Sequence, residues 1–124
     1  MEADRIATLT PTIAEVFSAS TTEIWCATFT VSGDGERWIQ VMREQLNFAY
    51  PHQRDPEALV AECGLPSWAT LSLMEWEAKN FAAFEFPAGL QPSDVARIVD
   101  TLLVAVIGAP PDYTVEAELF QIPP

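Results

Sequence analysis

The sequence DVARIVDTLLVAVI, residues 94–107, predicts a long amphipathic helix. Its apolar residues recur at i, i+3, i+4, i+7, i+8 and i+11, the period of one helical face; they are Val95, Ile98, Val99, Leu102, Leu103 and Val106. Val104, Ala105 and Ile107 make the second half apolar on nearly every side. Because such a helix must be covered on more than one side, we expect a sheet beneath it and a partner above it. The side chains expected to form this packing or dimer surface are Leu102, Leu103, Val106 and Ile107.

Strand patterns lie on both sides of this helix. WATLSLMEW (68–76) and NFAAFEF (80–86) predict two strands joined by a polar turn. GAPP (108–111) ends the helix, and YTVEAELF predicts a last strand. Alternation in that strand places Val115, Ala117 and Leu119 inside and Glu116 and Glu118 outside.

The first half of the chain predicts a helix and a hairpin. Residues 2–18 have a helical period that Pro11 interrupts, so either the helix kinks or a second segment begins there with Thr10 as its N-cap. EIWCATFTV (23–31) is a strand pattern, and the glycines of SGDG (32–35) favour a hairpin turn. The return limb from Arg37 fits either a helix or a strand. We prefer a strand, which a bend near Glu44 would split in two.

A short helix follows the hairpin. Asp55 is a good N-cap, Pro56 fits the first helical position, and Gly64 ends the segment. The order α-ββ(β)-α-ββ-α-β predicts an α+β fold: a two-layer sandwich with a largely antiparallel sheet and helices on one face. With 124 residues and no evident linker, residues 1–124 are expected to form a single domain.

The composition is strongly acidic. Lys and Arg number 6 against 18 Asp and Glu, a formal net charge of −12. This charge disfavours nucleic acid and anionic membranes as partners. It favours a cationic partner, although it would equally serve solubility alone.

The chain is expected to be cytoplasmic. MEADRIATL lacks the basic and apolar regions of a signal peptide, and the apolar stretch 102–107 is too short to span a bilayer. Cys26 and Cys63 lack metal or redox spacing, which favours buried reduced thiols over a disulfide.

The sequence shows no catalytic constellation, metal site or cofactor motif. The single histidine, His52, has no ligand-spaced neighbours, and a His52–Cys63 pair lacks a group to activate the thiol. The Gly-Asp-Gly turn lacks the other residues of a phosphate loop. Two carboxylate pairs could serve acid–base chemistry or cation binding, but a solvated sheet face explains them more simply: Glu75 with Glu77, and Glu116 with Glu118.

Tryptophan is the residue type most informative about binding. The chain has four, Trp25, Trp38, Trp68 and Trp76. Each belongs either to the core or to an interface, where tryptophan is a common hot spot. The hairpin of residues 23–43 is the favoured place for binding, and the predicted partner-binding residues are Trp25, Phe29, Trp38 and Trp76.

Four stretches resemble a known family: RWIQVMREQLNFAYP, CGLPSW, NFAAFEFP and DVARIVDTLLVAVIGAPPDYTVEAEL. Together they are similar to the YbjN-like, type III secretion chaperone-like (TY-Chap) peptide-binding domains of actinobacteria. The resemblance implies a secretion-chaperone-like fold and a homodimeric, non-enzymatic cytoplasmic protein that holds extended peptides. It implies no catalytic residue and no cofactor.

Three hypotheses follow for function. The first is a chaperone-like module that holds an extended polypeptide against an apolar and acidic surface. Such a module should bind several different segments. The second is an immunity or antitoxin-like protein that blocks one basic partner by charge complementarity. The third is a small enzyme that uses clustered carboxylates in a deep pocket.

Overall fold

The structure is a computed structural model that describes residues 2–18 and 23–122. In chain order the elements are α1 (Glu2–Ser18), β1 (Ile24–Val31), β2 (Trp38–Met42), β3 (Gln45–Ala49), α2 (Pro56–Glu62), β4 (Ser72–Glu77), β5 (Phe81–Glu85), α3 (Pro92–Leu102), a π-helical turn (Leu103–Ile107) and β6 (Val115–Ile122). The strands form one sheet in the order β4-β5-β3-β2-β1-β6. Every neighbouring pair is antiparallel. The predicted α+β sandwich is confirmed.

The two faces of the sheet differ in what covers them. The helix face packs against α1, α3 and the π-helical turn and carries the core side chains of the inner strands: Ala27, Phe29, Val31, Ile39, Val41, Leu46, Phe48, Ala82 and Phe84. We call the opposite side the open face. Every second side chain along each strand, between the core residues, points to this open face. None of these side chains belongs to the hydrophobic core against which the described helices pack.

The segment that fits both helix and strand is a hairpin. β2 and β3 pair from Ile39 with Phe48 to Met42 with Gln45. The connection is two residues long, and Glu44 has a φ of 65°, the left-handed conformation that a tight turn requires. The preferred strand, divided near Glu44, is therefore confirmed.

α1 is one continuous helix through Pro11. Pro11 is exposed, and the Thr10 hydroxyl donates to the Ile6 carbonyl at 2.7 Å beside it. Thr10 is therefore inside the helix, and the alternative of a second segment capped by Thr10 is wrong. The buried residues of α1 are Leu9, Ile13 and Val16.

The apolar side chains of α3 are covered from within the chain. The helix packs against α1 on one side and the sheet on the other. Its start carries a capping box between Gln91 and Asp94, and Gly108, at φ 92°, closes the π-helical turn. The four residues predicted as a packing or dimer surface are all buried, at 0–2% exposure: Leu102, Leu103, Val106 and Ile107. These four side chains therefore pack within the chain, and α1 covers the side of the helix on which a partner was expected.

Two strand predictions need correction at their limits. The strand predicted over residues 68–76 begins only at Ser72, because residues 67–71 form a turn and an irregular segment. In β6 the predicted alternation is right, but Ala117 and Leu119 are exposed rather than inside. The reason is that β6 lies at the end of the sheet, where only Val115 at its start packs against the core.

Candidate binding surface

Strand register arranges the open face in rows that cross the sheet from β6 to β4. One row contains Glu116, Thr30, Trp38, Ala49, Phe81 and Glu77. The next contains Glu118, Thr28, Gln40, Asn47, Ala83 and Glu75, and the third contains Phe120, Cys26, Met42, Gln45, Glu85 and Ser72. Six strands spaced by about 4.8 Å make this surface about 24 Å wide.

Charge and apolarity are separated along these rows. Four glutamates lie at the margins, Glu116 and Glu118 on β6 and Glu75 and Glu77 on β4, and all four are exposed; a fifth, Glu85, lies one strand inward on β5. Between the margins, side chains such as Trp38, Met42 and Phe81 are uncharged and only partly buried. The surface is therefore largely uncharged in its middle, where polar and apolar side chains mix, and acidic at both sides.

A hydrogen-bonded polar ladder crosses the centre of the open face. Asn47 Nδ2 donates to Gln40 Oε1 at 3.2 Å, and Gln40 Nε2 donates to Thr28 Oγ1 at 3.3 Å. Because each side chain holds its neighbour across a strand pair, the middle of the face is preorganised. Ala49 and Ala83, which flank the ladder, are small and leave the face flat there.

Trp38 borders a depression at one end of the open face. The depression has a volume of about 440 Å³ and is lined by residues that include Trp38, Ala49, Pro51 and Lys79. An indole beside a concave, partly apolar surface is the arrangement that receives an apolar anchor side chain of a partner.

The other predicted partner-binding residues lie on the helix face. Phe29 is 1% exposed within the core, so its assignment to a binding surface is wrong. Trp25 and Trp76 are partly buried against the core, and the Trp76 ring meets Tyr50 edge to face. Trp25 and Trp38 therefore point to opposite sides of the sheet, and Trp38 is the one predicted residue on the open face. Trp68 is exposed in the turn before β4.

The candidate chemical groups have structural roles. His52 Nε2 lies 2.8 Å from the carbonyl oxygen of Val106, which belongs to the π-helical turn. Cys26 and Cys63 are free thiols, as predicted, although Cys63 is only partly buried. Burial raises the pKa of both thiols, which lowers their reactivity. Among residues 2–18 and 23–122, no cluster of His, Cys, Asp and Glu could hold a metal ion.

An ion pair between a buried carboxylate and a partly buried guanidinium joins α1 to α3 away from the open face. Asp100 is 2% exposed and accepts from Arg5 Nε at 2.7 Å and from the Tyr113 hydroxyl at 2.8 Å. Arg5 Nη1 also donates to the Pro111 carbonyl at 2.7 Å. These contacts hold both helices to the loop before β6. A depression of ≈ 330 Å³ lies beside Arg5, but the guanidinium is already engaged by this network.

This network makes stability depend on alkaline pH. Burial raises the pKa of Tyr113, and its hydrogen bond to Asp100 raises the pKa further. Tyrosine in the unfolded chain ionises near a pKa of about 10, so the contribution of Tyr113 is complete below that pH and is lost as pH rises above it. We expect the free energy of unfolding to fall by up to about 1.4 kcal/mol per pH unit for this group.

The measurement is urea unfolding of the wild type and of Tyr113→Phe at several pH values above 9 or so. Tyr113→Phe is expected to show the shallower decline. Some decline should remain, because burial also raises the pKa of Tyr50. Identical slopes for the two proteins would contradict the role given to Tyr113.

Sequence reasoning missed most of the open face. Phe120 shares a face with Glu116 and Glu118 by simple alternation, so it could have been found. Gln40, Asn47 and Phe81 could not, because their placement beside one another depends on the register between β2, β3 and β5. Asp100 carried a signal of its own, a charge in the middle of an otherwise buried helix.

No family model, curated protein or solved structure matches this chain. The α+β class therefore rests on the chain's own architecture. In the described part of the chain, no helix has the length and apolar character needed to cross a membrane.

Proposed function

We propose that this protein is a non-enzymatic, chaperone-like module that binds a polypeptide. The partner is an extended segment that carries both apolar and basic side chains, and it lies against the open face. One observation carries the proposal: the open face has a largely uncharged middle, with Trp38, Met42 and Phe81 partly exposed, between two acidic margins, and the described helices all pack on the other side.

Charge defines the chemistry of the partner. The net charge is −12, and Glu75, Glu77, Glu116 and Glu118 concentrate part of it at the margins of the open face. Such a field attracts cationic segments and repels acidic ones. Apolar partner side chains would then contact Trp38, Met42 and Phe81 between the margins.

The resemblance to secretion-chaperone-like domains remains a prediction that agrees with this proposal. A cytoplasmic location is part of the proposal too, supported by two free thiols that suit a reducing compartment. The predicted homodimer also remains a prediction. Its interface would have to use surfaces other than Leu102, Leu103, Val106 and Ile107, which are buried within the chain.

Replacing Trp38 tests the proposal. An array of short peptides of varied sequence, probed with the labelled full chain at physiological salt, should retain peptides rich in Lys, Arg and apolar residues. Trp38→Ala should weaken binding of those peptides about 30-fold, because a hot-spot tryptophan contributes about 2 kcal/mol or more.

Trp68→Ala is the matched control, since Trp68 is an exposed tryptophan outside the strands. It should bind the selected peptides as the wild type does. Absence of any retained peptide would refute the proposal, as would wild-type affinity in Trp38→Ala. Tight binding of one folded basic protein, with no peptide bound, would instead support the inhibitor hypothesis.

A further inference from the structure

The two edges of the sheet are protected differently. β4 has six residues, and a bulge between Leu73 and Glu75 leaves Met74 protruding at 49% exposure. β6 has eight residues and pairs with β1 along its whole length without a register shift. Short strands and bulges keep a sheet edge from pairing with any other chain, whereas charged side chains on an edge repel only strands of like charge. β4 has both, whereas β6 has neither.

The outer edge of β6 presents backbone groups for pairing. Ser32 N donates to the Thr114 carbonyl at 2.8 Å, so the backbone N–H and C=O groups of Thr114 point toward β1. Alternate residues of a strand direct their backbone groups the same way. Glu116 and Glu118 therefore bond to β1, while Ala117 and Leu119 direct their N–H and C=O groups outward.

Side chains along this edge alternate in chemistry. Glu116 and Glu118 point to the open face, and neither forms an ion pair with a described residue. Ala117 and Leu119 point to the other side and are exposed, Leu119 at 36%. Residues i and i+2 of an added strand would be about 6.8 Å apart, the same spacing as Glu116 and Glu118 on β6.

We infer that β6 is the docking strand of this protein, and that its partner is an extended segment in which Lys or Arg alternates with apolar residues. This inference rests on the proposed function and specifies how the segment binds. The segment adds as a seventh strand by backbone hydrogen bonds. Its basic side chains meet Glu116 and Glu118, and its apolar ones cover Ala117 and Leu119.

A second copy of this chain fits the edge less well. β6 reads VEAELFQI and contains no basic residue. Antiparallel pairing of two copies would gather four glutamates on one face of the joint with no cation from either strand to offset them. A basic, alternating partner supplies the missing cations.

The test compares two synthetic peptides of equal composition. One alternates, acetyl-Lys-Val-Lys-Val-Lys-Val-Lys-amide, and the other has its four lysines and three valines in separate blocks. Titrated into the isotope-labelled full chain, the alternating peptide should bind about tenfold tighter or more. It should slow amide exchange in Ala117 and Leu119.

Variants of the protein separate the contributions of backbone and charge. Ala117→Pro removes an outward N–H without breaking a bond to β1, as edge strands tolerate, and should abolish the difference between the peptides. Glu116→Gln with Glu118→Gln should weaken binding of the alternating peptide about tenfold and reduce its salt dependence. Glu15→Gln with Glu57→Gln makes the same change of charge at two exposed carboxylates on α1 and α2, outside the sheet; this matched control should bind normally.

The outcomes distinguish this inference from the proposed function. If the peptides bind but perturb only Trp38 and its open-face neighbours, and Ala117→Pro binds normally, strand addition is overturned while the proposed function stands. If neither these peptides nor any array peptide binds, both fail. If light scattering shows a dimer that Ala117→Pro dissociates, the edge belongs to a second copy and the assigned partner is wrong.

A second probe covers the case in which Ala117→Pro does not fold. N-methylation of the three valines removes the peptide N–H groups that face the outward carbonyls of β6. The methylated peptide should lose the tenfold advantage over the block peptide. Undiminished binding would contradict strand addition.

Discussion

Phe29→Ala is expected to lower the free energy of unfolding by about 3–5 kcal/mol, the usual cost of deleting a buried phenylalanine ring. Phe29 lies on β1 and is 1% exposed. It pairs with Ile39 on β2 and with Ala117 on β6. Urea unfolding followed by circular dichroism measures the change. The large effect is expected because the surrounding sheet and helices cannot fully collapse into the space that the ring leaves.

Trp38→Ala is the informative comparison. Trp38 lies on the same hairpin but on the open face, where it is only partly buried. We expect a much smaller loss of stability than for Phe29→Ala, together with the loss of peptide binding. Near-native stability in Phe29→Ala would contradict the placement of this ring in the core and restore it as a candidate for the binding surface.

Asp100→Ala is expected to destabilise the protein by about 3 kcal/mol, since it removes the buried acceptor of three hydrogen bonds, two of them from the partly buried Arg5 guanidinium. Arg5 would lose two hydrogen bonds, and the Tyr113 hydroxyl would lose its acceptor. Urea unfolding near neutral pH measures the loss. The exposed pair of Arg54 and Glu62 provides the control, and Glu62→Ala should leave stability nearly unchanged.

A double variant identifies the cause of this loss. Arg5→Ala combined with Asp100→Ala should be less destabilised than the sum of the two single changes, because neither charge is then left unpaired. Simple additivity would show that the two residues act independently and would contradict the network. Because the network lies between the helices and the β6 loop, its loss should also loosen the start of β6.

The open face and the β6 edge meet at Glu116 and Glu118. These two carboxylates form one margin of the open face and also line the unprotected edge of the sheet. A segment that adds to β6 would therefore place its basic side chains at the border of the uncharged middle of the face. This position explains how one partner could use both surfaces, with the edge setting the register and the face contributing apolar contact.

Much of the fold could be predicted because its signals are local. The period of residues 94–107, the Asp55 N-cap and the glycines of the first hairpin turn each depend on residues close in the chain. The β2–β3 segment was ambiguous because its apolar spacing fits both a helix and a strand. The antiparallel pairing of β2 with β3 around Glu44 shows that it forms two strands. The π-helical turn had no recognisable signal, since its residues also suit an ordinary helix.

The binding surface was predicted poorly because burial is not a local property. Trp25, Phe29, Trp38 and Trp76 have similar apolar character, yet only Trp38 points away from the helices. Alternation predicts that neighbouring side chains on a strand point to opposite faces of the sheet, but it does not predict which face the helices cover. The position of α1 and α3 decides that, and it depends on contacts between residues far apart in the chain.

By itself, the sequence determined the acidic character, the α+β class and the order of helices and strands, because charge, period and turn chemistry are properties of short segments. Only the tertiary structure decided that α1 covers the apolar helix, that one sheet face is left open, and that β6 is an unprotected edge. The physical reason is that strand order and helix placement result from long-range packing, in which a side chain becomes core or surface according to what the rest of the chain lays against it.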